Sequence, residues 1–564
     1  MKGVDMKKSI IFCLFFCVVA AFVGFIFSAK GYAIPAAPLL HTLVQPDGLT
    51  INAKQWGDES CHGWETEDGF TIVFDRGLNS WAYATNDTDG GIISSSKIVG
   101  RDDIPDECVP HIRKTGLARS KIIRRMTTKE ASAALFQAGN NKLGDENYQK
   151  VVSSSGTANI PVILINFKDT STTYTTIDFN SLLFGTGNYS MKDYYEEVSY
   201  GKFSVSGGPS GVVGWYTASK GHDYYGENDS RGDDMWPGDL VYEAVAAADA
   251  NVDFSAYDMD NDGYVDAVNV IHQGTDEAAG GGETDIWSHR WSLDSAKFSG
   301  NSHYGAYTTN DRNSKGNYIK VNDYTMEAEK HPDGHQETIG VFAHEYGHAL
   351  GLPDLYDTDG SSVGIGDWSI MASGSYNYVS VYGDRPAHMD AGCKYYLKWV
   401  TPTQVTGTLT NETITEASST ADVYKLVNKS LSSSEYFLVE NRQKTGFDVG
   451  LPGSGLLIWH IDQQTVFRKI SLNTVNNNEC YPPNSCSSKH YGEALVPADN
   501  NWDLEKYNNY GDTGDPYPGS RNNTSFTSTS SPNSKLYDGR NSLISVTNIS
   551  ASRTDMTATL SVGN

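Results

Sequence analysis

A chain of 564 residues exceeds what one hydrophobic core fills, and divides into roughly three or four domains. With 38% hydrophobic and 20% charged residues it has a globular composition, which excludes a collagen-like, coiled-coil or wholly disordered chain. Its 69 acidic against 43 basic residues give a formal charge of −26, a field that repels phosphate backbones and argues against a nucleic-acid partner.

In chain order, Lys2, Lys7 and Lys8 precede an uncharged apolar run from Ser9 to Ser28. Gly31-Tyr32-Ala33 then sets small residues at the −3 and −1 positions of a cleavage site. This is the layout of a secretory signal peptide over 1–33, cut after Ala33. The run is also long enough to span a bilayer, so a retained anchor is the alternative. No second span follows; the chain is expected to be extracellular and monomeric, with no stable membrane span once the signal is removed. Of its seven cysteines, Cys13 and Cys17 leave with the signal. Cys480 and Cys486 are expected to close a small loop, and Cys61 with Cys108 a second bridge, leaving Cys393 unpaired.

Residues 34–157 read as a small domain followed by a linker. His62 to Phe74 has an Asp-Gly turn and then an alternating β-rich run. A basic stretch with Arg113, Lys114, Arg119, Lys121, Arg124 and Arg125 fades into polar Ser153-Ser154-Ser155-Gly156. A small domain with an exposed basic linker is the pattern of a removable propeptide; an ordinary N-terminal domain is the other reading. Ile160–Phe167 suits a buried strand, helical patterns follow at Met191–Val198 and Asp239–Ala250, Val265–His272 reads as a strand, and a helix begins near Gln336. This mixture predicts an α+β, or mixed α/β, catalytic domain over 158–400. From 401 to 564, Ser/Thr/Asn-rich segments separate β runs at Ala421–Val427, Glu435–Glu440, Gly455–Ile461 and Leu543–Ile549, the spacing of an all-β, sandwich-like domain.

The chemistry concentrates at His344-Glu345-Tyr346-Gly347-His348. Residues four apart share a helical face, so His344 and His348 can present two imidazoles to one zinc ion, with Glu345 beside them as a base for water. Gly351 can take a positive φ and end the helix, and Pro353 cannot continue it. The turned chain can then bring back Asp354 as a third ligand, with Asp357 the alternative, leaving a coordination position open for catalysis. Met371, in Ser369–Tyr376, has the place of a methionine turn beneath the metal. Tyr376 or Tyr378 could donate to an oxyanion.

These segments resemble the M6 metallopeptidases typified by immune inhibitor A of bacilli. The resembling text is H-E-Y-G-H-A-L-G-L-P-D-L-Y-D at 344–357 and G-I-G-D-W-S-I-M-A-S-G-S-Y at 364–376. It extends to Y-Y-E-E-V-S-Y-G-K-F at 194–203, Y-F-L-V-E-N-R-Q at 436–443 and L-P-G-S-G-L-L-I-W-H-I-D at 451–462. The resemblance implies a secreted zymogen with a metzincin-like catalytic domain, acting on peptide bonds of proteins. The sequence departs from the family's pattern in size, so the further C-terminal domains of larger members, with any carbohydrate- or surface-binding module, are expected to be missing. The competing functions are a zinc amidase or deacetylase and a non-catalytic, calcium-stabilised surface protein.

Asp258-Met259-Asp260-Asn261-Asp262-Gly263-Tyr264-Val265-Asp266 matches the first half of an EF-hand-like loop, so Asp258, Asp260, Asp262, Tyr264 and Asp266 are expected to hold calcium. Position twelve is Asn269 rather than Glu, and a strand is expected to follow instead of a helix. Asp512 and Asp515, with Asp499 and Asp503, form a weaker second candidate. For latency, Cys61, Asp58, Glu59 and His62 are all on offer, and the inhibitory residue stays open; cleavage near Arg124-Arg125 or Ser153–Ser155 could release the enzyme.

Overall fold

The structure is a computed structural model that describes residues 31–114 and 151–563, apart from 230–231, 297 and 300–304. The apolar run Ser9–Ser28 and the basic stretch from Arg119 to Arg125 lie outside the described residues. No helix among the described residues is long and apolar enough to cross a membrane.

After a two-residue strand β1 (Tyr32–Ala33), six strands form an antiparallel meander: β2 (Leu40–Val44), β3 (Thr50–Asp58), β4 (Cys61–Thr66), β5 (Thr71–Asp75), β6 (Ser80–Asn86) and β7 (Ile92–Ile98). The turn between β4 and β5 is the Asp68-Gly69 pair, with Gly69 at φ 82°. Ile51, Ala53, Ile72, Tyr83, Val99 and Cys108 fill the core of this unit. Cys61 and Cys108 are both free, contrary to the expected bridge. Cys108 packs inside that core, whereas Cys61 sits at the β3–β4 turn, where the Asp58 carboxylate accepts from its amide. Cys480 and Cys486 are joined as expected, and Cys393 is free. Arg113 also departs from the expected solvated linker. It is buried, donating to Glu65 and to the Gly360 carbonyl, with its guanidinium 4.0 Å from the Trp56 ring.

The central sheet has the order β1-β13-β16-β12-β9-β11. Its parallel strands are β9 (Val162–Asn166), β11 (Val212–Thr217), β12 (Val268–Thr275) and β16 (Asp323–Lys330). The edge strand β13 (His289–Ser292) runs antiparallel to β16, and β1 pairs antiparallel to β13. Strands covered on both faces carry unbroken apolar runs such as Val-Ile-Leu-Ile, which is why the alternation typical of a half-exposed strand is missing here. Two small ladders complete this region: β8 (Gly156–Asn159) with β10 (Phe203–Ser206), and β14 (Tyr307–Arg312) with β15 (Tyr318–Val321).

Helices α1 (Thr176–Phe184), α2 (Met191–Val198), α3 (His222–Gly226) and α4 (Pro237–Ala248) precede the helix that carries the histidines, α5 (Ile339–Ala349). Thr175 and Ser190 cap α1 and α2 with full capping boxes. The α4 face of the sheet packs Leu240, Val241 and Val245 against Ile163 and Val270. The other face packs Tyr195 and Phe342 against Leu164 and Ile271. Two tyrosines of α2 reach across that second layer: Tyr195 donates to the Ala343 carbonyl of α5 (2.7 Å) and Tyr194 to Ala387 (2.8 Å).

After α6 (Ala391–Tyr396) come two antiparallel-rich sheets. One contains β17 (Thr403–Gln404), β19 (Tyr424–Leu426), β20 (Glu435–Arg442), β21 (Gly455–Asp462) and β22 (Glu493–Leu495), with α7 (Gln463–Lys469) between the last two. The other contains β18 (Gly407–Thr415), β23 (Ser525–Phe526), β24 (Ile544–Thr547) and β25 (Asp555–Val562). Phe437, Val439, Leu456 and Ile458 face the second sheet's Ile544, Met556 and Leu560. On the opposite face, Leu438, Leu457, Trp459 and Ile461 share one core with α2, α5 and Trp368. The two sheets thus pack face to face, and the first also serves as a wall of the central layer.

Candidate metal and catalytic site

Every residue of α5 is buried, and its end follows the expected turn: the Gly351 amide donates to His348 at φ 92°, a conformation that favours glycine. This brings Asp354 back onto the helix. Its Oδ1 lies 3.1 Å from His344 Nε2 and 3.3 Å from His348 Nε2, and the two nitrogens are 3.2 Å apart. All three side chains are at most 1% exposed. Asp357 is not part of this group; its carboxylate accepts from the Asp359 amide and the hydroxyls of Ser361 and Ser362.

The remaining ring nitrogens determine which atoms carry protons. His344 Nδ1 donates to the Ile370 carbonyl (2.7 Å) and His348 Nδ1 to Leu352 (2.8 Å), so each neutral imidazole turns a bare Nε2 inward. In these tautomers two Nε2 lone pairs and a carboxylate oxygen converge on one point in a buried site, a donor arrangement that a metal cation satisfies. Ligands about 2.0–2.1 Å from a tetrahedral zinc stand about 3.3 Å apart, the spacing of this triangle. The residues present therefore fit zinc. Asn473, from beyond α7, braces the carboxylate: its amide donates to Asp354 Oδ2 and its oxygen accepts from the Asp354 backbone.

Glu345 is fully buried beside this triangle, with the backbone amide of Ile34 facing its carboxylate. Burial pushes its pKa well above the usual carboxylate range, and the nearby Asp354 charge adds to the shift. Met371 lies beneath the helix, where a Cβ on Gly347 would stand 2.7 Å from its sulfur. Met371 is itself fully buried with little room to yield. Gly347→Ala is therefore expected to cost about 1–3 kcal/mol, read as a lowered Tm with the metal-loaded protein.

Residues 32–36 run across the front of these groups. Tyr32 stacks on the His348 ring at 4.6 Å. Three donors then take successive carbonyls: Tyr356 OH to Ala33 (2.6 Å), Trp287 Nε1 to Ile34 (2.8 Å) and Tyr376 OH to Pro35 (2.9 Å). The boundary expected after Ala33 falls inside this buried stretch. Tyr376 is thus brought to the site, while Tyr378 is half-exposed and packs on Tyr382. Tyr356, Trp287 and Asn473 escaped the sequence reading. Tyr356 sits within the L-P-D-L-Y-D text, but nothing local marks the other two.

The acidic loop also assembles. Oxygens of Asp258, Asp260 and Asp262 lie within 4.8 Å of one another, and Gly263 turns the chain at φ 100°. A cavity of about 260 Å³ is lined by Asp260, Asp262, Tyr264 and Asp266, with Asp294 and Asp323 added from elsewhere in the chain. Burial first, and then the neighbouring aspartates, push Asp266 up to about 7. Strand β12 follows two residues later. Asp499, Asp503 and Asp512 converge similarly, while Asp515 turns away to accept from the Trp368 indole (3.1 Å).

Two imidazoles one helical turn apart, a returning carboxylate and an adjacent buried glutamate make the donor set of a metal-dependent hydrolase of the H-E-x-x-H class. Residues 166–402 match the family described as immune inhibitor A peptidase M6, catalytic domain, and so form an M6-family metallopeptidase domain, a family that implies a catalytic metal. The chain is 34% identical over 238 residues to the pre-pro-metalloprotease PrtV of Vibrio cholerae, covering 38% of this chain and 24% of that protein. It is 36% identical over 211 residues to immune inhibitor A of Bacillus thuringiensis subsp. alesti, covering 33% and 28%. The matched region thus spans about a quarter of the length of these relatives. A solved structure of catalytically inactive OgpA from Akkermansia muciniphila, in complex with an O-glycopeptide (glycodrosocin), aligns over 57% of this chain and 89% of that one. Its 15% identity and TM-score of 0.23 are too low to support any inference.

Proposed function

We propose that this chain is the exported zymogen of a zinc-dependent endopeptidase. The observation that carries the reading is the convergence of His344 Nε2, His348 Nε2 and Asp354 Oδ1 on one point, set beside the buried Glu345 carboxylate. His344, His348 and Asp354 hold the ion. Zinc held there supplies Lewis acidity toward water and the scissile carbonyl. Glu345 takes a proton from the attacking water and returns it to the leaving amine. Tyr356 and Tyr376 steady carbonyls of a bound chain. Tyr32–Ala33 add a two-residue strand to the edge of β13, and a peptide taking that edge in their place is a polypeptide mode of binding, which favours proteins over small amides as substrates.

Latency is supported by the segment that follows Ala33: Trp287 and Tyr376 hold the Ile34 and Pro35 carbonyls, and the Ile34 amide faces the Glu345 carboxylate. The name pre-pro-metalloprotease carried by one relative accords with this. Ser153 and Ser155 are exposed and offer a place to cut. Export is supported by the signal-like start of the sequence. The test is casein digestion by the processed protein: activity is expected to vanish with a chelator and return with zinc. Undiminished digestion by metal-free protein sinks the reading.

The loop Asp258–Asp266 is read as a structural calcium site, supported by its clustered carboxylates. Enzyme stripped with EDTA and restored with zinc alone should melt several degrees lower than enzyme given both ions, about 1–3 kcal/mol for a partly filled acidic site. Equal Tm values in the two samples exclude a stabilising calcium there.

A further inference from the structure

We infer a second, separate site for a zinc-like divalent cation in the turn that joins β16 to α5, formed by His331, Asp333 and His335. The turn is tightly built: the His331 amide donates to His335 (3.0 Å), the Gly334 amide to His331 (2.9 Å), and Lys330 bridges Gln336. Asp333 Oδ1 lies 3.2 Å from His331 Nδ1 and 3.3 Å from His335 Nε2, and one ligand atom of each residue falls within 4.8 Å of the others. The two imidazoles stack at 4.7 Å and 11°.

Proton placement again decides the chemistry. His335 Nδ1 donates to the Gln336 carbonyl (2.6 Å), which leaves Nε2 bare toward Asp333. His331 Nδ1 faces both the Asp333 amide (3.4 Å), from which it can accept, and the Asp333 carboxylate (3.2 Å). In the tautomers that accept from the Asp333 amide and donate to Gln336, both nitrogens that face the carboxylate offer lone pairs to a cation. The nitrogen–carboxylate distances match those of the catalytic triangle, 3.1 and 3.3 Å there against 3.2 and 3.3 Å here, while the ring pair is stacked here and edge-on there. His331 is 95% buried, so its ring is held in place by its surroundings. Two imidazoles with one carboxylate suit zinc or its neighbours and not calcium or magnesium, which take oxygen ligands. Asp333 is more than half exposed, so an ion enters from solvent and keeps water in its remaining position. Bound there, it pins the start of the helix that carries His344, Glu345 and His348.

The site is tested by zinc stoichiometry on full-length protein, kept from self-digestion by Glu345→Gln, using equilibrium dialysis and elemental analysis. The parent is expected to retain two equivalents. His331→Ala/His335→Ala should retain one, and His344→Ala/His348→Ala should retain the other. In the latter background, cobalt(II) should give a visible d–d absorption that Asp333→Asn weakens, a variant that preserves the shape of the turn. The inference is overturned if His331→Ala/His335→Ala binds as much zinc as the parent, or if the His344/His348 variant binds none while retaining its circular dichroism spectrum. Since the two pairs of variants are read separately, loss of one site does not decide the other.

Discussion

Replacing Glu345 with glutamine is expected to leave zinc content unchanged and to slow casein hydrolysis by about 10²–10⁴-fold, the usual contribution of a positioned general base. Glutamine preserves the size of the side chain and removes only its ability to accept and return a proton. The distinction between base and ligand is structural: the ligand atoms that meet are those of His344, His348 and Asp354, and Glu345 is not among them. A loss of zinc along with activity would make Glu345 a ligand, and an undiminished rate would remove it from the mechanism. Either result is read from one protein preparation by elemental analysis and a digestion assay.

Arg442→Ala is expected to give the largest loss of stability, about 3–5 kcal/mol, because it strands a buried charge. Arg442, on β20, is fully buried between two carboxylates that are also fully buried. It makes two bonds to Asp448 (2.5 and 2.6 Å) and one to Glu440 (3.4 Å), and it also reaches the carbonyls of Trp368 and His388. Burial alone would raise the Asp448 pKa, but the guanidinium holds it below the ordinary value. Without Arg442 the sign reverses, and the folded-state pKa of Asp448 rises above its unfolded value. A group shifted upward favours the folded state below its unfolded pKa, about 3.9, and loses that benefit as pH rises through the folded one. The deficit of the variant should therefore be greatest at neutral pH and narrow as pH is lowered, measured by urea unfolding of both proteins across the range. A deficit independent of pH would mean that Asp448 is not the stranded group.

The elements most legible in the sequence are those with a strong local signal. The helix at Met191–Val198 appears with the bounds its apolar spacing predicts, and Asp239–Ala250 appears as α4. The histidine pair, the glycine stop and the returning Asp354 were readable because all lie within eleven residues of one helix and its turn. Asp354 prevails over Asp357 through geometry that spacing alone left open. What the sequence hid depends on distant chain. Asn473 reaches Asp354 from 119 residues away, and Trp287 reaches Ile34 from 253. Arg113 looked like part of a solvated basic run because a guanidinium stacked on Trp56 and paired with Glu65 has no local pattern. The cysteines misled for a similar reason: export permits a bridge, but Cys108 was needed as an apolar residue in a small core.

Much of the remaining resembling text now has a physical account. Glu197 of Y-Y-E-E-V accepts from His388 (2.8 Å) and from the Phe447 amide, while Trp459 of L-I-W-H-I donates to Glu440 (2.9 Å). These segments tie α2, the His388 turn and β20–β21 together and touch no catalytic atom.

The apolar face of β20 and β21 that lies against α2 and α5 has a consequence for how the molecule comes apart. Residue 400 divides the chain on paper, but heat and denaturant should meet no seam there. The histidine-bearing layer and the first β-sheet should melt in a single cooperative transition, and a chain stopped at 400 should display an oily flank and aggregate. Sequence modules and units of unfolding do not coincide in this protein.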